Sequence, residues 1–244
     1  MNIENKIPVS REILADMETP LSVYQKLANG PFSYLFESVE GGDKWARYSL
    51  IGLPAKKILS LSQNLIEIIE DGNVVESFES DDPLTFIEEY QKKIFVDSVE
   101  GLPKFNGGLV GYFGYDCIRY IESRLSNSQL YDQLGTPDAL FMISEEVAVF
   151  DNLKNTLHLI VLADQGSEDA ITSAENRIKE LTELLEKPLI NQSLIQPQET
   201  VDESDFISGF GEEEFKTAVS EVKKYIEAGD VMQVVLSQRL TKNF

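Results

Sequence analysis

Two stretches of β-forming residues, each interrupted by turn signals, constrain the fold of this chain more than any other feature. In the first, period-two runs at 58–61, 65–69 and 74–78 are separated by short breaks, and Asp71-Gly72 is typical of a hairpin turn. In the second, two long strands are predicted over 139–150 and 156–163, joined by a hairpin through 151–155. Consecutive strands joined by hairpins pair antiparallel, so both stretches predict antiparallel β-sheets.

Helices are predicted at four places by apolar residues spaced three or four apart. They cover 20–28, the segment opened by Asp82-Pro83, the segment capped by Ser167, and 212–228, which ends at Gly229. Shorter β-forming runs at 32–39 and 231–237 predict two further strands. Helices interleaved with hairpins indicate an α+β fold of antiparallel sheets with peripheral helices.

The chain is predicted to divide near residue 188. After Lys187-Pro188 the sequence is polar and irregular as far as 205, so 188–205 is interpreted as a linker between residues 1–187 and 206–244. The last region offers one helix and one strand before the sequence stops at Phe244. Because a lone strand leaves its pairing groups uncovered, we interpret 206–244 as the start of an incomplete domain, and the fold as truncated.

The charge and composition exclude several classes of function. The 244 residues include 42 acidic and 21 basic side chains, a formal net charge of −21, which disfavours nucleic acid and anionic membranes as partners. No run approaches the roughly 20 apolar residues that cross a bilayer. The single cysteine and single histidine rule out an internal disulfide and a Cys/His zinc site. We therefore expect a cytoplasmic protein that does not cross a membrane.

The densest motif is glycine-rich and begins at Gly107. It reads Gly-Gly-Leu-Val-Gly-Tyr-Phe-Gly-Tyr-Asp over 107–116 and lacks the spacing of a phosphate-binding loop. Glycine at this density indicates close backbone approach, so we predict a kinked core strand, with ligand contact as the alternative.

A second cluster of polar residues flanks the glycines at 41 and 42. Glu37-Ser38 and Arg47-Tyr48-Ser49 together offer a carboxylate, hydroxyls and a guanidinium, a set that suits the ammonium and carboxylate of an amino acid. A surface ion pair is the other interpretation. The sequence carries no catalytic triad, metal-ligand cluster or nucleotide-binding motif, and His158 is interpreted as a strand residue and not as a base.

In these motifs the chain resembles chorismate-utilising enzymes of the anthranilate synthase component I type. The resemblance lies in Leu35-Phe36-Glu37-Ser38, in Arg47-Tyr48-Ser49, in the glycine-rich motif from Gly107, and in 228–239, which is similar to the opening of that family's chorismate-binding domain. It covers nearly the whole chain and implies the same α+β fold. It also implies a lyase that converts chorismate and ammonia to anthranilate and pyruvate in tryptophan biosynthesis.

The resemblance further implies regulation, a cofactor and a partner. Tryptophan would bind as a feedback inhibitor at Glu37, Ser38 and Arg47. A glutamine amidotransferase subunit, component II, would supply ammonia. The catalytic residues and the ligands of Mg²⁺ are expected beyond residue 244, so no catalytic or metal-binding residue is assigned within the chain, which is predicted to be inactive alone.

Two alternatives stay open. Aminodeoxychorismate synthase component I, of the folate pathway, shares the glycine-rich motif, although Val235, Ser237 and Arg239 favour the anthranilate enzyme. A non-enzymatic regulatory module that binds tryptophan would also explain the lack of catalytic groups.

Overall fold

The computed structural model describes residues 6–37, 47–94, 99–125, 134–189 and 201–242. The chain separates into two compact units, 1–190 and 191–244. The described strands are β1 (Lys6–Leu14), β2 (Tyr34–Phe36), β3 (Tyr48–Gly52), β4 (Lys57–Ser62), β5 (Leu65–Glu70), β6 (Asn73–Glu79), β7 (Gly108–Phe113), β8 (Ala139–Ser144), β9 (Glu146–Asp151), β10 (Thr156–Asp164), β11 (Ile207–Ser208) and β12 (Leu240–Thr241). The described α-helices are α1 (Pro20–Leu27), α2 (Pro83–Lys93), α3 (Ile118–Ile121), α4 (Glu168–Leu185) and α5 (Glu212–Ala228).

The larger unit contains two five-stranded sheets whose neighbouring strands all pair antiparallel. The first sheet has the order β1-β10-β9-β3-β2, and the second has the order β6-β5-β4-β8-β7. The predicted α+β class with antiparallel sheets is confirmed.

Helices α1 and α4 cover one face of the first sheet. Their apolar residues, including Val23, Ile178 and Leu181, join Leu157 and Leu159 of β10 in the main hydrophobic core. The opposite face of β10 is also buried, with Ile160 packed near Phe105. In the second sheet, Ile87 of α2 packs with strand residues in a separate core. Strand β10 is thus buried on both faces and lies between β1 and β9 in the first sheet.

The predicted helix starts and the predicted hairpin turn are confirmed. The Asp82 and Ser167 side chains accept hydrogen bonds from the backbone amides of Thr85 and Ala170, at 3.1 and 3.2 Å. Asp71 and Gly72 have φ angles of 49° and 79°, as the tight turn between β5 and β6 requires. These features depend on residues close in sequence.

The strand predicted over 139–150 is wrong in one respect. The structure divides it at Glu145 into β8 and β9, which belong to different sheets. The Glu145 carbonyl accepts a hydrogen bond from the Leu162 amide of β10 at 2.8 Å, and this contact lies at the crossing between the sheets. A continuous apolar run does not mark where its pairing partner changes.

The strand predicted over 231–237 is also wrong, because the structure has no strand there. In the smaller unit the described pairing is between β11 and β12, two residues each, and none of its described residues is buried. A β-forming run becomes a strand only when another strand satisfies its backbone groups. The helix predicted over 212–228 is confirmed as α5, with Gly229 at φ 79° after its last residue.

Candidate functional site

Two of the three predicted ligand residues lie at the same end of the first sheet. Strands β2 and β3 pair with Tyr34 opposite Gly52 and Phe36 opposite Leu50. Glu37 follows β2 directly and is exposed, and Arg47 directly precedes β3. Ser38 lies outside the described residues. The fold therefore brings the segments that contain Glu37 and Arg47 side by side.

The guanidinium of Arg47 is engaged by Asp151 at the end of β9. Its Nη2 donates to Asp151 Oδ2 at 2.7 Å, and its Nε lies 3.1 Å from both carboxylate oxygens. The Asp151 side chain is 1% exposed and also accepts from the amides of Leu153 and Lys154. Burial alone would raise the pKa of Asp151, but the hydrogen bonds from Arg47 and these amides hold it below its usual value.

This ion pair changes what Arg47 can do at a ligand site. A ligand carboxylate that bound its Nε and Nη2 edge would compete with a carboxylate that is already buried and hydrogen-bonded. Arg47 therefore forms an ion pair, but its partner is a buried carboxylate 104 residues away, which differs from the surface ion pair of the sequence interpretation. The contact of Arg47 with an inhibitor stays a prediction.

The residues after Arg47 belong to the sheet. Ser49 is fully buried, and its hydroxyl accepts a hydrogen bond from the Asn152 side chain at 3.2 Å. The backbone N–H of Asn152 donates to the Arg47 carbonyl at 2.8 Å. Together with the ion pair, these bonds fasten the start of β3 to the turn between β9 and β10. Arg47 and the start of β3 are thus held by a polar network that includes the buried groups of Ser49 and Asp151.

The glycine-rich motif forms β7, an edge strand of the second sheet. A Cβ on Gly111 would lie 1.9 Å from the Leu140 carbonyl oxygen of β8, and one on Gly114 would lie 2.9 Å from the Asp138 carbonyl oxygen. The prediction of close backbone approach is confirmed. The prediction of a core strand is wrong: β7 pairs with β8 alone in its sheet, and of its residues Val110 is the buried one.

Asp138, which the sequence did not indicate, fixes the exit of the glycine-rich motif. Its carbonyl accepts from the Gly114 amide at 2.6 Å and the Cys117 thiol at 3.1 Å. Its Oδ2 accepts from the Tyr120 hydroxyl at 2.6 Å and the Gln63 amide at 2.7 Å. Burial, reinforced by the bond to Asp138, raises the pKa of Tyr120. One sequence signal marks Asp138, namely its position directly before the strand predicted over 139–150.

Tyr34 and Ser144 form a second contact that the sequence did not indicate. The Tyr34 hydroxyl lies 2.9 Å from the Ser144 hydroxyl, and the two residues are 7% and 2% exposed. Tyr34 belongs to the first sheet and Ser144 to the second, so the bond joins the sheets. Burial raises the pKa of Tyr34 to about 12, although the bond to Ser144 acts to lower it.

Two further features of the described residues concern metal ligands and His158. Among these residues, no group of three histidine, cysteine, aspartate or glutamate side chains could hold a metal ion. His158 is buried in β10 with its Nε2 3.6 Å from Glu12 Oε1 of β1, so its interpretation as a strand residue is confirmed. Among the same residues, no helix has both the length and the apolar character to span a membrane.

Comparison with known proteins gives a consistent result. The family model described as "chorismate binding enzyme" matches residues 9–244. The anthranilate synthase component 1 of Pseudomonas putida is 48% identical over 243 residues, 98% of this chain and 49% of the relative. The protein of the same name from Neisseria meningitidis serogroup B is 44% identical over 244 residues, 98% of this chain and 48% of the relative.

A solved structure is also similar to this chain. The crystal structure of anthranilate synthase component I from Streptococcus pneumoniae TIGR4 has a TM-score of 0.60 and 27% identity, and the match covers 95% of this chain and 49% of that one. The chain thus spans about half the length of the curated relatives it matches.

Proposed function

The chain belongs to the chorismate binding enzyme family, and we propose that it forms part of the large subunit of an anthranilate synthase. The complete enzyme would convert chorismate and ammonia to anthranilate and pyruvate in the cytoplasm, and an amidotransferase subunit would supply the ammonia from glutamine. The observation that carries the proposal is 48% identity, across 98% of the chain, to a protein named anthranilate synthase component 1.

Within this enzyme, we assign the described chain a regulatory role. Glu37 is exposed at the end of β2, where its carboxylate can accept hydrogen bonds from the ammonium of an amino acid. Ser38 is the adjacent candidate donor to the ligand carboxylate. To bind the ligand through its Nε and Nη2 edge, Arg47 would have to exchange Asp151 for the ligand. We therefore give Glu37 and Ser38 the larger part in binding tryptophan.

Inhibition at this position requires tryptophan to bind an inactive arrangement better than an active one. The polar network around Arg47 gives one side of the site a fixed position, so rearrangement would occur on the side of the short strand β2. Its three residues pair with β3 alone among the strands of the first sheet.

Mg²⁺ is part of the proposal for the complete enzyme, where it would offset the negative charge of the substrate. The described residues do not fit a Mg²⁺ site, since no suitable group of three ligands occurs among them. We therefore place its ligands outside these residues.

The test is an assay of the polypeptide that continues this chain to the length of its relatives. With chorismate, ammonia and Mg²⁺, anthranilate is followed by fluorescence and pyruvate by a coupled dehydrogenase. We expect the two products in equal amounts. Formation of an aminated chorismate without release of pyruvate would instead assign the chain to the aminodeoxychorismate enzyme, and tryptophan binding without either reaction would favour a non-enzymatic module.

A further inference from the structure

Strand β2 is weakly held within its own sheet. It contains three residues, lies at the sheet edge and leads directly to Glu37. A short edge strand has few ladder hydrogen bonds, so contacts outside the ladder contribute much of its positioning. The contacts of Tyr34, the first residue of β2, are therefore important for where Glu37 lies.

The Tyr34 ring occupies a place that depends on a glycine opposite it. Gly52 is its partner on β3, and a Cβ on Gly52 would lie 1.9 Å from Tyr34 Cε1. The ring thus lies directly against the backbone of β3 and points the hydroxyl to Ser144 in the other sheet. Because the ring alone makes the contact with Gly52, the hydroxyl can be removed while the ring packing is kept.

Ser144 lies where the chain crosses from the second sheet to the first. It is the last residue of β8 and pairs with Gly108, the first residue of β7. A Cβ on Gly107 would lie 3.0 Å from the Ser144 carbonyl oxygen, so the backbone at the start of the glycine-rich motif has little room there. A displacement of Ser144 would therefore be transmitted to the start of β7.

We propose that the hydrogen bond between Tyr34 and Ser144 couples strand β2, and with it the segment entering the amino-acid site, to the glycine-rich strand β7. Tyr34 is a positioning residue, which acts on β7 through Ser144. Burial raises the pKa of Tyr34 to about 12, so its hydroxyl keeps the proton that it can donate to Ser144 at neutral pH. The link to tryptophan rests on the proposed function, whereas the coupling of β2 to β7 does not.

The chain offers a matched control for this bond. The Tyr24 hydroxyl lies 2.9 Å from the Ser33 hydroxyl, the same distance and the same pair of groups, also close to β2. This bond joins α1 to the segment before β2 and makes no connection to the second sheet. Tyr24→Phe therefore removes a bond of the same groups and length, partly buried where the Tyr34 bond is buried, without removing the coupling. Ser144→Ala removes the coupling bond from its other side.

The experiment is hydrogen-deuterium exchange of the full 244-residue chain, comparing amides at 108–113 with those of α4 as an internal reference for global stability. Loss of one buried bond should accelerate exchange at 108–113 about fivefold relative to α4 in Tyr34→Phe and in Ser144→Ala. Tyr24→Phe should leave that ratio unchanged. Equal ratios in all three variants and the parent, or equal acceleration by Tyr24→Phe, would overturn the coupling.

A second arm adds tryptophan. In the parent chain tryptophan should slow exchange at 108–113, and in Tyr34→Phe that slowing should be lost even at a tryptophan concentration that calorimetry shows to saturate the variant. Slowing that is unchanged in Tyr34→Phe would overturn the coupling. If the parent does not bind tryptophan, the feedback proposal fails for this chain, while the ligand-free ratios still decide the coupling.

Discussion

Alanine at Gly111 should destabilise the larger unit strongly, because the space for a side chain is filled by the backbone of β8. The new Cβ would lie 1.9 Å from the Leu140 carbonyl oxygen and 2.8 Å from the Phe141 Cα. Ordinary contact begins near 3.4 Å, so the strands must separate locally by about 1.5 Å, the difference between 3.4 and 1.9 Å. Overpacking of this kind costs about 1–3 kcal/mol, and each ladder hydrogen bond lost adds about 1 kcal/mol.

We therefore expect Gly111→Ala to lower the free energy of unfolding by about 3 kcal/mol. Gly72→Ala is the matched control, since Gly72 has φ 79° and a Cβ at this position would meet no atom within 4 Å. Its strain of about 1–2 kcal/mol is partly offset by the lower entropy of the unfolded chain, which leaves about 1 kcal/mol.

The assay is urea unfolding followed by circular dichroism. With a urea dependence of about 2 kcal/mol per molar, the midpoint should fall by about 1.5 M for Gly111→Ala and about 0.5 M for Gly72→Ala. A Gly111→Ala chain as stable as the parent would refute close backbone approach as the reason for this glycine. If the same variant bound ligand less well, ligand contact would be the better explanation.

Three further predictions concern the buried ion pair, the core and the chain alone. Because the folded protein holds the pKa of Asp151 below its ordinary 3.8, the carboxylate stabilises the fold above that pH, and its contribution is lost as the pH falls through the lower folded value. Arg47→Met should thus lower the urea midpoint at about pH 7, and this loss should shrink as the pH is lowered below 3.8; a loss independent of pH would contradict this. Ile178→Ala should cost about 2–5 kcal/mol, whereas Val75→Ala, at a side chain 52% exposed, should change the same unfolding midpoint little. The purified 244-residue chain should form no fluorescent anthranilate from chorismate, ammonia and Mg²⁺, and activity that survives removal of host enzymes would place catalytic residues within it.

The sequence predicted the features that depend on neighbouring residues. The helix caps at Asp82 and Ser167 and the turn at Asp71 rely on contacts within a few positions, so their residue types were sufficient. The break at Glu145 was not predictable in this way, because it depends on which distant strand pairs with each half of an apolar run.

The candidate site shows the same division. The two motifs of the predicted site were identified as neighbours in sequence, whereas the pairing of β2 with β3 beside them was not predicted. The partners of its polar groups are remote: Asp151 lies 104 residues from Arg47, and Ser144 lies 110 residues from Tyr34. Local residue pattern carries no information about such pairs, so the ion pair and the bond between the sheets required the structure.

The central claim is best tested by titrating tryptophan into the extended polypeptide while anthranilate formation is followed by fluorescence. We predict that tryptophan inhibits the parent and phenylalanine does not, and that Ser38→Ala retains turnover but resists tryptophan. A parent that forms no anthranilate, or a Ser38→Ala variant as sensitive to tryptophan as the parent, would contradict the account.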